Sequence, residues 1–162
     1  MPAAQDSFMK LVKHPLRFRV FLFTRLPAAW FSGVRVKNIN GASCAVTIRY
    51  SWFSTNPFRS TYFACLAMAA EMSTGILVFS HTYQRVPAVS MLVTGLKAEF
   101  LKKATGITTF TCSEGDRIGE AVKNAITTGT AQTITVNSVG VSDSGEPLAR
   151  FEITWSFKMK ST

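Results

Sequence analysis

The sequence predicts an α+β fold in which antiparallel strands curl around one long apolar helix. Three observations lead there. The stretch NPFRSTYFACLAMAAEMSTGILVFS (residues 56–80) is almost wholly apolar over 62–79, and a helix apolar on every side must be covered on every side. The C-terminal residues alternate: Phe151, Ile153, Trp155, Phe157 and Met159 share one face, while Glu152, Thr154, Ser156, Lys158 and Lys160 share the other. Two turn signals, Asn40-Gly41 and Asp143-Ser144-Gly145, each separate a pair of strand-like runs. A half-buried sheet covers such a helix only by wrapping it, aided by the N-terminal helices or a second subunit.

Each element follows in order. Residues 5–31 read as two short helices split at His14-Pro15, with Pro15 starting the second. The run KHPLRFRVFLFTRLP mixes bulky apolar side chains with Arg17, Arg19 and Arg25. It reads as an amphipathic helix docked on the domain, with a membrane-surface position as the lesser alternative. Strands follow at 33–38 and 43–50, the second placing Cys44, Val46, Ile48 and Tyr50 on one face. Beyond the long helix, 88–101 and 106–112 are strand-like. Ser113-Glu114-Gly115-Asp116 resembles a capping box that opens a short helix ending near Gly129. Residues 130–142 and 149–160 form the last hairpin. There is no repeat, low-complexity tract or linker, so one domain over 1–162 is expected.

Composition narrows the function. The chain is 47% hydrophobic and 17% charged, as in a folded globular protein. Its net charge of +9 is concentrated: nine Lys or Arg and no acid stand between Asp6 and Glu71. That bias suits anionic partners, but no zinc-finger, KH or RNP-type motif is present, so nucleic acid is not expected. Cys44, Cys65 and Cys112 lie far apart without a Cys-x-x-Cys pair or a histidine cluster. They read as buried free thiols, not as a metal site or a disulfide framework. The apolar run 20–24 is too short for a secretory leader, and Glu71 interrupts the long helix as a bilayer span. A cytoplasmic protein with a core helix is expected.

Glu71 is the residue that asks for chemistry. A lone carboxylate in an apolar helix is exposed, paired, or kept for a reaction. Other constellations fail. Cys65 and His81 are 16 helical positions apart, about 24 Å. No Gly-x-Ser-x-Gly elbow or phosphate-cradling glycine loop occurs.

The segments LPAAWFSGVRV, NP with the following helix, FLKKATG and ITWSFKMK resemble the hotdog-fold acyl-CoA thioesterase superfamily, in particular an uncharacterised thioesterase-like branch. In related thioesterases an Asn precedes a His-Gly-Gly turn by six residues, and an Asp or Glu follows that His by nine. Asn56, Tyr62 and Glu71 reproduce both spacings, while Tyr62-Phe63-Ala64 replaces His-Gly-Gly. The resemblance implies a curved antiparallel sheet around the helix and a thioester hydrolase needing no cofactor beyond the coenzyme A of its substrate. It makes Glu71 the base or nucleophile and Asn56 the holder of carbonyl or water. The free N–H groups around Tyr62, Phe63 and Ala64 become the oxyanion donors. Arg59, Lys102 and Lys103 are the candidates for the coenzyme's phosphates, and no metal is expected. Positions 62 and 71 lie about 13 Å apart along one helix, so the acid must come from a neighbouring subunit of a homodimer or tetramer. The alternative is a non-catalytic acyl-ligand or interaction module that kept the pocket and lost the chemistry. A dehydratase is disfavoured, because neither His14 nor His81 stands at the helix start.

Overall fold

A computed structural model describes residues 3–160; the ends of the expected domain, 1–2 and 161–162, lie outside the described residues. The N-terminal segment forms three helices instead of two: α1 (Ala3–Lys13), α2 (Pro15–Arg25) and α3 (Pro27–Phe31). Pro15 does start α2, and the His14 side chain accepts a hydrogen bond from Arg17 N. The extra break comes at Leu26, because Pro27 has no N–H to continue α2 and its fixed φ suits the first turn of a new helix.

The first hairpin pairs β1 (Arg35–Ile39) with β2 (Cys44–Arg49). The hairpin turns at Asn40-Gly41 as expected, without a positive φ at Gly41. The Asn40 carboxamide builds the turn, accepting from Ala42 N at 2.9 Å and Ser43 N at 2.7 Å. A 3-10 turn (Trp52–Ser54) leads to the central helix α4 (Phe63–Thr82). β3 (Val89–Phe100), β4 (Ile107–Cys112), α5 (Gly115–Thr128), β5 (Gln132–Ser142) and β6 (Pro147–Met159) complete the chain.

All strand pairs are antiparallel and form one six-stranded sheet, order β1-β2-β4-β5-β6-β3, around α4. This is the hotdog arrangement. The core lies between helix and sheet: Leu66, Ala69, Ala70, Leu77 and Val78 face Val46, Ile48, Phe110, Ile153 and Trp155, all buried. Two polar contacts fix the helix on the sheet. Trp155 Nε1 donates to Thr74 Oγ1 at 3.0 Å, and the Ser73 and Ser138 hydroxyls share a 2.7 Å hydrogen bond. α4 is long and apolar enough to cross a bilayer, but 67% of its most apolar window is buried against the rest of the chain.

The capping box at α5 does not form. The cap residue is Glu114, which makes no side-chain cap bond. Its carboxylate reaches β5, accepting from Asn137 N at 2.7 Å and Asn137 Nδ2 at 3.1 Å, and it pairs with Arg117. The first helical N–H, from Gly115, donates to Ala42 O of the β1–β2 turn at 2.9 Å. A side chain at 115 would collide with Gly41 O, so this close approach requires glycine. The helix ends at left-handed Gly129, as expected.

Candidate functional site

Most of the residues singled out from sequence fall into two cavities at different levels of α4, while Arg59 and Ala64 line neither. The first, about 580 Å³, lies at the start of the helix and gathers Asn56, Tyr62, Phe63, Lys102 and Lys103 with Thr61. The loop before the helix folds on Asn56, whose Oδ1 accepts from Phe58 N at 3.0 Å and Ser60 N at 3.2 Å. The oxygen is thus committed to the loop. The amide NH₂ has no partner among the described residues and remains a donor.

At the helix start, Tyr62 N donates to Ser54 O at 2.7 Å, while Cys65 N and Leu66 N both donate to Tyr62 O. Phe63 N and Ala64 N have no acceptor among the described residues, and no side chain caps the turn. Two free donors at the positive end of a 20-residue helix suit a developing oxyanion. The Phe63 ring, 56% exposed, packs edge-on against Tyr62 and Phe100 at the same place.

The three proposed phosphate contacts are unequal. Lys102 pairs with Glu146, and Lys103 Nζ donates to Phe58 O at 3.4 Å. Arg59 is exposed, takes φ of 57°, and has no side-chain partner among the described residues.

Glu71 stands apart from all of these. It is half-buried in the wall of a second cavity, about 310 Å³, between α2 and α4, among Phe18, Leu22, Met72, Ile76 and Phe79. Its carboxylate makes no hydrogen bond and no ion pair among the described residues, although Arg25 lines the same cavity. Burial pushes its pKa above the ordinary glutamate value. One chain therefore brings Asn56, the helix start and the two lysines together, and leaves Glu71 elsewhere.

Two residues escaped the sequence reading. Gly75, one turn beyond Glu71, leaves room for the carboxylate: a Cβ there would stand 2.8 Å from Glu71 Oε1 and 3.4 Å from Trp155 Cζ2. A glycine four residues after an acid inside a helix was a usable signal. Thr61, 4% exposed, lines the first cavity with a hydroxyl that has no partner among the described residues. A threonine before a helix reads as an ordinary cap, so nothing local marked it.

The fold recurs in solved structures. A protein of unknown function from Pseudomonas aeruginosa, described as a probable thioesterase, superposes with a TM-score of 0.76 at 16% identity, over 90% of this chain and 97% of that one. A protein of unknown function from Chlorobaculum tepidum gives 0.74 at 16% identity over the same shares. A thioesterase from Haemophilus influenzae gives 0.64 at 10% identity, over 90% of each chain. At such identities the likeness is one of fold. Among curated proteins no sequence matches this chain. Residues 16–157, most of the chain, match one family model, and the protein belongs to that family, the domain of unknown function DUF4442.

Proposed function

We propose that this protein hydrolyses an acyl-CoA thioester at a site shared by two copies of the chain. The observation that carries the reading is Glu71: a carboxylate with neither hydrogen bond nor counter-ion among the described residues, held in an apolar cavity on the central helix. Keeping such a group costs stability, which suits a catalytic base or nucleophile better than a structural role.

The thioester carbonyl would lie at the helix start, its oxygen meeting Phe63 N and Ala64 N, with the Asn56 amide as a further donor. Lys102, Lys103 and Arg59 would meet the phosphates of coenzyme A. Glu71 of the same helix is about 13 Å away, so Glu71 of an antiparallel neighbouring helix would activate water or attack the carbonyl. A nucleophilic route forms an acyl–glutamate anhydride and expels the CoA thiolate, and water then releases the acid. With Glu71 as base, water adds to the carbonyl directly and the same thiolate leaves. The raised pKa places the rising limb of the kcat–pH profile above the ordinary glutamate range, because the ionised form is the active one.

A second reading has its own support. Phe63 projects a ring where the related sequences have glycine, and the Asn56 oxygen is committed to its loop. Both suit a module that binds an acyl ligand without cleaving it. Thiol release from a panel of acyl-CoA substrates separates the two. Turnover that falls about a hundredfold or more in Glu71→Gln, with KM little changed, supports hydrolysis. Binding of an acyl-CoA without thiol release by the wild type establishes the module.

A further inference from the structure

The outer face of α2 carries an unpartnered apolar stripe. Phe18 and Leu22 turn inward, yet Leu16, Val20 and Phe23, at helical spacing, face solvent, with Leu16 72% and Val20 63% exposed. The stripe continues through aromatic contacts: Phe23 to Phe31 at 6.4 Å between ring centroids, Phe31 to Phe53 at 6.0 Å, and Phe53 to Trp52 at 4.9 Å. Trp52, 81% exposed, ends the band. One apolar band thus joins α2, α3 and the 3-10 turn, larger than scattered surface residues account for.

Cations surround it. Lys13 and Arg17 are exposed along α1 and α2, and the Arg19 guanidinium lies 5.2 Å over the Trp30 ring. At the other end, exposed Arg35 and Arg49 line a groove with Ser51, next to Trp52. The sequence holds no acid from 7 to 70, and the ion pairs among the described residues all lie elsewhere, at Lys97–Glu152, Lys102–Glu146 and Glu114–Arg117. From this geometry we propose that the α2–α3 face and the Trp52 turn dock on the surface of an anionic lipid bilayer, the band entering the headgroup layer and the cations meeting lipid phosphates. Charge chooses this occupant over a second copy. A two-fold contact through the face would set its arginines against their own equivalents, whereas an anionic surface neutralises them.

The test is co-sedimentation with phosphatidylcholine vesicles, with and without phosphatidylglycerol, together with quenching of tryptophan fluorescence by brominated acyl chains. Partition into the phosphatidylglycerol vesicles about tenfold or more above the neutral ones is expected, weakening with added salt. Quenching that disappears in Trp52→Phe places that ring in the bilayer. Val20→Glu and the double variant Arg17→Glu, Arg49→Glu, all at exposed positions, should each lower partition about tenfold or more with the melting temperature unchanged. Absence of wild-type partition overturns the proposal, as does equal partition into both vesicle types. So does a Val20→Glu protein that loses self-association but binds vesicles as the wild type does, for the band is then a contact between copies.

Discussion

At the scale of single residues, Glu71 and Gly75 act as a pair. Alanine is about 1 kcal/mol better than glycine inside a helix, so Gly75→Ala would ordinarily stabilise α4. Here the new Cβ would stand 2.8 Å from Glu71 Oε1 and in van der Waals contact with Trp155 at 3.4 Å, so the carboxylate must move. Thermal stability should stay within about 1 kcal/mol as propensity and crowding offset, while thiol release falls about tenfold or more from the displaced base. A melt and an acyl-CoA assay on one preparation check both. Glu71 also leaves a mark on the pH dependence of stability. Its folded pKa is raised, so between the ordinary glutamate value and the raised one the folded state holds the extra proton. Stability from this group therefore falls as pH rises through that window, and the penalty persists above it. Glu71→Gln should melt higher than wild type at pH 7, the gap closing below about pH 4, where glutamate is protonated in both states. A lower melting temperature for Glu71→Gln at pH 7 would instead mark a structural carboxylate. His81 has the opposite sign: burial lowers its pKa, so its contribution is present above the ordinary histidine value and is lost as pH falls below it.

At the scale of elements, β6 shows how far a two-residue repeat carries. Phe151, Ile153, Trp155 and Phe157 are buried as the alternation requires, and Lys158 faces solvent. Trp155 is 3% exposed and donates to Thr74 of α4, so Trp155→Ala removes both a core volume and the indole donor to Thr74 Oγ1. It should destabilise by about 3 to 5 kcal/mol, against about 0.5 kcal/mol or less for Lys158→Ala; paired denaturant melts read the difference. Met159, assigned to the inward face, is only half-buried because the strand ends there. The start of α5 teaches the converse. Its expected capping box is a local pattern, but Glu114 finds two donors on Asn137 and Gly115 N finds Ala42 O, and both partners are remote in sequence.

At the scale of the molecule, β3 is the last strand of the sheet and, among the described residues, pairs with β6 alone. Twelve residues long, with Leu92 and Leu96 exposed, it presents an open edge of the kind that proteins usually cover. A second copy pairing there would also answer the separation of Glu71 from the helix start. A dimer at micromolar concentration is expected by light scattering. Leu92→Lys with Leu96→Lys should yield a monomer of unchanged helical content that has lost its thioester turnover. Turnover retained by a demonstrated monomer would refute the shared site.

The sequence by itself determined the six strands and the wrapped central helix, but not the break at Leu26 that divides the N-terminal segment into three helices. A 3.6-residue or two-residue repeat is a local geometric property, and a helix apolar on every side admits few environments. It also singled out Glu71, as a lone carboxylate in an apolar helix, whereas Asn56 was singled out only through the resemblance to thioesterases. Only the tertiary structure showed that Asn56 spends its oxygen on its own loop and that Glu71 has no side-chain partner among the described residues. It alone put the two in separate cavities and left the outer stripe of α2 uncovered. The Asn56 contacts are local, but the isolation of Glu71 and the open α2 stripe depend on which remote groups reach them, and that competition is settled by packing, not by neighbours in sequence.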